Sequence, residues 1–373
     1  MNRISASQLV MMITIFLYSE TAAFLMAPIS KTASYSAVIS MCLGGACGFV
    51  IILFSASLAR NNPGEYFAVF GREIVGKWVH IPVMLLLAAY LIHRAAMGLR
   101  NIEDFLMVNH LPTTPETVIA ILLGLAVALT VRAGIEAVAR ISEVIFFVNL
   151  IIIVGLTPLL LGIELQLPMV HAFVTNFDIV RTAAGTYQAT PWFGDAFVIL
   201  FIYPHFKEHI KTGRMVFWGV CFALTLILSY LIPSLLAFGP ELAGNMSYPV
   251  MEYVRTLRIA DFIETLDPFL TILYIPAVII KISVLLYAAV ISLTRLFALH
   301  DHKPLSFAIT AIAVGYSIHF ADNVSELLYF MTVFWPTYAL SMQLIPAVYW
   351  LIAKLRGKGK AFSKEKEPQS QIK

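Results

Sequence analysis

The sequence predicts an all-α membrane protein with ten crossing helices, and three observations carry that prediction. The 373 residues are 60% hydrophobic and only 13% charged, with mean hydropathy +0.84, whereas soluble domains carry about 25% charge. Apolar runs long enough for a bilayer, which takes about 20 residues per helix, recur ten times. The basic residues then sort to one side of those runs.

The runs fall near 8–28, 36–58, 79–107, 116–132, 141–163, 186–204, 215–238, 267–298, 305–320 and 326–352. The fourth and ninth are short; the third and eighth are long enough to tilt. With the N-terminus inside, the inner connections and ends hold 18 Lys and Arg and the outer connections hold Lys31, Arg181, Arg255 and Arg258. That asymmetry puts both termini in the cytoplasm. Residues 1–353 read as one transmembrane domain, and 354–373 as a basic cytoplasmic tail, polar enough to stay disordered and able to meet anionic lipid. Arg3 precedes the first run, but Glu20 and Pro28 stand where a cleavage site would be, so the first span is expected to be retained.

The first and sixth runs are not plain helices. In the first, Ser19-Glu20-Thr21 is followed by Ala22 and Ala23; in the sixth, Pro191, Trp192, Phe193 and Gly194 lie between Gln188 and Asp195. Pro191 lacks an amide hydrogen and Gly194 tolerates unusual backbone angles, so a break is expected there. Ten spans divided five plus five make these two equivalent, with repeats near 8–163 and 186–352. An odd number of spans per half inverts the second half, and paired interruptions in such repeats point to a mid-membrane binding site. The plainer alternative is a kinked, dry helix with Glu20 at an interface.

Charges inside the spans sharpen this. Lys281 stands midway between Asp267 and Arg295, too deep for easy snorkelling, where a lysine costs about 2.5–3.5 kcal/mol. Two roles stay open: a bridge to Glu20, or a fixed positive charge in place of a bound cation. Ser283 and Tyr287 share a helix face, with Ser283 about 160° around the wheel from Lys281. In span three, His93, Met97, Arg100 and Asp104 share an inward face. Arg100 and Asp104 form an (i, i+4) pair near the outer end, and Arg94, Met97 and Gly98 are candidates for a site wall.

Other features read more plainly. Gly44 and Gly48 form a GxxxG for close packing. His205 and His209 have metal-capable spacing but no HExxH order, and Cys42, Cys47 and Cys221 sit in apolar runs without a CxxC pair. The sequons at Asn245 and Asn323 are of a kind common by chance. No P-loop, nucleophile elbow or dinucleotide motif is present. Neither an enzyme, a metal, a cofactor nor a nucleic-acid partner is expected.

Several connections carry a family likeness. PGEYFAVFGREIVGKWV (63–79), VRAGIEAVARISEVIF (131–146), FGPELAGNMSYPVMEYVRTLRIADFIETLDPF (238–269) and KISVLLYAAVISLTRLF (281–297) resemble the endospore germination permeases, the B subunits of germinant receptors. The resemblance implies the amino acid–polyamine–organocation superfamily and its LeuT-type fold of five plus five helices. It further implies a spore inner-membrane sensor of a small nutrient, often an amino acid, acting with A and C subunits. By position it implies a pocket of Ser19, Glu20, Thr21, Ala22 and Ala23; Met97 and Gly98; Pro191, Trp192, Phe193 and Gly194; and Ser283 with Tyr287. Segment 239–266 would cap the outer mouth, with Met251, Val254 and Leu257 folded inward. Glu20 beside the break would repel a ligand carboxylate unless Lys281 neutralises it, which leaves an amine, sugar or nucleoside open. A proton-coupled amino-acid or amine carrier is the alternative function.

Overall fold

A computed structural model describes residues 3–161, 168–207, 211–256 and 267–356. The tail beyond 356, together with His209, Leu257 and Arg258, lies outside the described residues. Among those described, the chain is helices joined by short turns, with one isolated bridge and no strand, and ten spans follow the ten apolar runs.

Span one starts at Ala6, where Ser5 and Gln8 form a capping box. It runs as an α-helix to Glu20, widens into a π turn over Thr21–Leu25, and resumes as Met26–Ala33. The expected interruption is therefore a wider winding, not an unwound gap. Pro28 supplies a reason: its ring is aimed at the carbonyl of Phe24, four residues back, and the wider turn gives it room.

Span six runs from Ile179 to Gly194 with Asp178 as N-cap. It tightens to a 3-10 turn over Asp195–Val198 and ends as Ile199–Ile202. Gly194 has ordinary helical angles, φ −57° and ψ −24°, which corrects the expectation that it bends the backbone. It is small for space, because a Cβ there would strike the Gln343 carboxamide oxygen.

Spans two to five are Ala37–Arg60, Lys77–Asn109, Glu116–Ala133 and Ile135–Leu161. Span seven, Thr212–Asn245, bends at Gly239 (φ 70°, ψ 163°), a left-handed angle that favours glycine. Spans eight and nine are Asp267–Leu296 and Lys303–Ile318. Span ten is cut into Val324–Val333, Trp335–Gln343 and Ile345–Leu355, with Pro336 and Pro346 opening the second and third pieces. The last piece carries helix to Leu355, past the expected start of the tail.

Gly44 and Gly48 let span two press onto span six, where added Cβ atoms would meet Ala189 and Phe193. At one face of the bundle Ile4 forms a parallel bridge to Phe206, and Arg356 Nη1 donates to the carbonyl of Ile74 at 2.5 Å. Both ends of the described chain thus meet the same face. A short helix, Pro249–Thr256, lies across the opposite face between spans seven and eight.

Candidate functional site

Four charged side chains meet in the middle of the bundle, all with no exposed surface: Glu20, Arg94, Asp195 and Lys281. Arg94 Nη2 pairs closely with Glu20 Oε2, and Arg94 Nε donates to Asp195 Oδ2 at 2.8 Å. Lys281 Nζ lies 3.2 Å from Asp195 Oδ2 and 3.5 Å from Glu20 Oε2. Each carboxylate faces both cations, and the four sum to zero. Buried charge is tolerated on that condition, since an unpaired ion in a low dielectric costs several kcal/mol. Lys281 therefore faces two carboxylates, of which Asp195 is the nearer. The cluster joins spans one, three, six and eight.

Aromatic faces complete its wall. The Trp192 ring has Arg94 at 5.4 Å and Lys281 at 5.6 Å from its centroid, with Trp335 and Phe16 adding one such contact each. Gln343 of span ten braces the tightened part of span six: its Nε2 donates to the Pro191 carbonyl at 2.8 Å and to Asp195 Oδ1 at 3.0 Å. Gly98 is small because a Cβ would collide with Glu20 Oε1.

Above the cluster, toward the face of the Pro249–Thr256 helix, opens a narrow cleft of about 40 Å³, partly open to solvent. Ala22 and Ala23 of the π turn form one wall, beside Tyr18. Phe105, Tyr230 and Tyr274 supply rings from spans three, seven and eight, and Tyr248 with Met251 closes the top. Phe105 and Tyr274 lie 4.8 Å apart, and Tyr248 meets both Phe24 and Phe105 edge-on. Of the expected cap, 239–266, the described part reaches the cleft, with Met251 lining it and Val254 fully buried.

Of the ligand residues expected from the sequence, Ala22 and Ala23 line this cleft. Ser19, Glu20 and Thr21 lie just below it without exposed surface, and Met97 is equally buried. Trp192 walls the charge cluster, Pro191 and Gly194 meet Gln343, Phe193 packs against Gly48 of span two, and none of the four lines the cleft. Ser283 is buried with an unpaired hydroxyl. Tyr287 is far from the rest: its hydroxyl meets His205 Nε2 at 3.2 Å, and Tyr66 reaches the same nitrogen at 3.0 Å. That group belongs to the face carrying the termini. Six residues of helix put Tyr287 about 9 Å below Lys281, which explains the separation. Arg100 pairs with Asp104 as expected and also with Glu116. Among the described residues no cluster of metal-ligating side chains occurs.

Sequence reasoning missed Gln343 and the tyrosines of the cleft, whose approach is tertiary. Asp195 was noted as flanking a break but given no partner.

Comparison with known proteins agrees with this architecture. A family model described as spore germination protein matches residues 3–325. Spore germination protein KB of Bacillus subtilis (strain 168) is 26% identical over 350 residues, covering 87% of each chain. The solved structure of Mhp1, a nucleobase-cation-symport-1 family transporter in a closed conformation with bromovinylhydantoin bound, superposes with TM-score 0.66 at 14% identity, covering 95% of this chain and 80% of that one. MhsT in complex with L-phenylalanine gives TM-score 0.64 at 13% identity, covering 95% and 99%. The fold is accordingly the LeuT-type five-plus-five inverted repeat, interrupted in its first and sixth helices.

Proposed function

The chain belongs to the spore germination protein family, and on that footing we propose that it is the permease-like sensor subunit of a germinant receptor. It binds a small nutrient, an amino acid by preference, in the cleft beside Ala22 and Ala23, and signals with A and C subunits. Both termini lie in the cytoplasm and the cleft opens away from it, in the inner membrane of the spore. The charge asymmetry of the connections supports that orientation. Binding shifts the complex between two conformations, so no bond is made or broken.

The observation that carries this reading is the cleft itself. It meets the wide turn of span one, so a ligand there touches the segment whose winding departs from α between the two halves of that helix. On the opposite face Ile4, Tyr66, His205 and Tyr287 close the bundle. A ligand that favours one winding of Thr21–Leu25 would thereby act on the charge cluster one residue away.

Ala23→Phe fills the cleft and should abolish nutrient binding to protein in nanodiscs, together with the germination response of spores. Retained binding would remove the reading. A second reading, a proton-coupled carrier of amino acids or amines, draws on Glu20 Oε1, a buried carboxylate oxygen without a hydrogen-bond partner. Counterflow of a labelled nutrient in proteoliposomes decides between the two: binding without flux belongs to the sensor, flux to the carrier. Because Arg94 and Lys281 already supply two positive charges at the centre, replacing sodium by potassium should leave affinity within about twofold.

A further inference from the structure

Spans four and nine pack side by side and leave an outward-facing groove of about 250 Å³. On span four, Ile121, Leu125, Ala128 and Arg132 follow at intervals of four, three and four. On span nine, Lys303, Phe307, Thr310 and Val314 follow at four, three and four. Eleven residues of α-helix return to within about 20° of the starting direction, so each set forms one stripe. All but the two basic residues line the groove. Gly124, Ala128 and Thr310 are buried and make its floor, while Ile121, Leu125 and Phe307 stand exposed along its sides. Gly124 lets the two helices close up, because a Cβ there would strike Val314 Cγ2.

The two stripes bring one cation each to the same end. The Arg132 guanidinium lies over the Phe307 ring, 5.6 Å from its centroid, and Lys303 opens span nine one turn before that ring. This end belongs to the face carrying the termini, since the neighbouring His302 ring packs on Tyr287 at 5.6 Å. Among the described residues, neither side chain has a carboxylate in ion-pair reach. Asp301 instead accepts from the Lys303 backbone amide at 3.2 Å and pairs with His302 Nδ1 at 3.4 Å. Depth also fits a lipid. Ala128 lies four residues below Arg132 and Ile121 eleven, about 6 and 16 Å along the helix. Half of a hydrocarbon core about 30 Å thick is about 15 Å, so the groove runs from under the cations to the bilayer middle.

We propose that the groove between spans four and nine binds one phospholipid with an anionic headgroup, an acyl chain lying along the groove and the phosphate held between Arg132 and Lys303. The guanidinium fork suits two phosphate oxygens, and the ammonium adds a point charge at the positive end of the span-nine helix. A zwitterionic lipid brings a cation of its own to a place that already holds two, so net negative charge is selected. The groove also excludes a bulkier occupant. About 250 Å³ over about 10 Å of length leaves roughly 25 Å² of cross-section. That admits one hydrocarbon chain, whereas a partner helix about 10 Å across could only ride on the groove's sides.

The test is native mass spectrometry of full-length protein in neutral detergent, titrated with phosphatidylglycerol or with phosphatidylcholine of the same chains. Wild type should retain one phosphatidylglycerol at least about tenfold more tightly than phosphatidylcholine, because charge-assisted hydrogen bonds are about twice as strong as neutral ones. Arg132→Gln with Lys303→Gln should bring the two lipids within about twofold. Comparing two lipids on one variant cancels any change in its folded fraction. Ala311→Phe fills the groove from an exposed position, leaves both cations in place, and should weaken phosphatidylglycerol about tenfold. Arg60→Gln with Arg214→Gln removes the same charge from the same face outside the groove and should leave the preference as it was. Equal retention of both lipids by wild type overturns the proposal. So does a preference that survives Arg132→Gln with Lys303→Gln, one lost equally in the control pair, or wild-type binding by Ala311→Phe. Displacement by equimolar glycerol 3-phosphate would make this a free-phosphate site, and a dimer dissociated by Ala311→Phe would put a second copy of the chain on the stripe; either result overturns it as well.

Discussion

Without the Lys281 ammonium, Glu20 and Asp195 would share the single guanidinium of Arg94, with no exposed atom among them. Breaking a buried pair from one side costs about 3–5 kcal/mol, so Lys281→Met should lower the melting temperature and yield of the purified protein strongly. Adding Asp195→Asn rebalances the charge and keeps an oxygen for Gln343, so the double variant should recover part of the loss; strictly additive losses would show that the two side chains do not interact. A second titrating residue lies just past the end of span six. Burial, then the charges of Arg295 and His302, hold the His205 imidazole down to about 4, below its ordinary 6.5. A folded value below the unfolded one means that protons favour unfolding. This contribution is whole above pH 6.5 and is lost as pH falls toward 4. Between about pH 7 and pH 5 the melting temperature should therefore drop more in the wild type than in His205→Gln.

Elements explain where glycine and proline had to be. Gly98 and Gly194 are both small because a side-chain oxygen of another span occupies the space a Cβ would take, the carboxylate Glu20 Oε1 in one case and the carboxamide Gln343 Oε1 in the other. Gly98→Val should displace the Glu20 carboxylate and destabilise the protein far more than Gly64→Val, whose added carbon meets nothing within 4 Å; paired thermal melts check this. The cap over the cleft makes a kinetic prediction. Tyr248 touches Phe24 and Phe105, so Tyr248→Ala should speed ligand release several-fold, as one aromatic contact is worth about 0.5–1.5 kcal/mol, and stopped-flow dissociation measures it. Spans were legible in the sequence because twenty apolar residues have few alternatives. Winding was less so: Thr21–Leu25 differs from its neighbours by one hydrogen-bond step, and only its small residues and Pro28 hinted at it. The three-piece form of span ten was written in Pro336 and Pro346, yet hydropathy alone reads across them.

At the scale of the molecule, the fold was readable, while of the expected ligand residues Ala22 and Ala23 line the cleft. Charge sorting and the paired interruptions of spans one and six carry the ten-helix inverted repeat. Pairings between spans are another matter: nothing local brings Asp195 to Arg94, a hundred residues earlier, or aims Gln343 at the Pro191 carbonyl. Tyr287 illustrates the reverse error, since a helical wheel keeps angle and discards height. The N-terminal segment adds a constraint of its own. Its backbone at Ile4 donates to the His205 carbonyl at 2.9 Å and accepts from the Lys207 amide at 3.0 Å, so the start of the chain is stitched to the far end of span six. A purification handle or fluorescent protein fused directly ahead of Ile4 would pull on that stitch, and reporters for this molecule belong instead after Arg356.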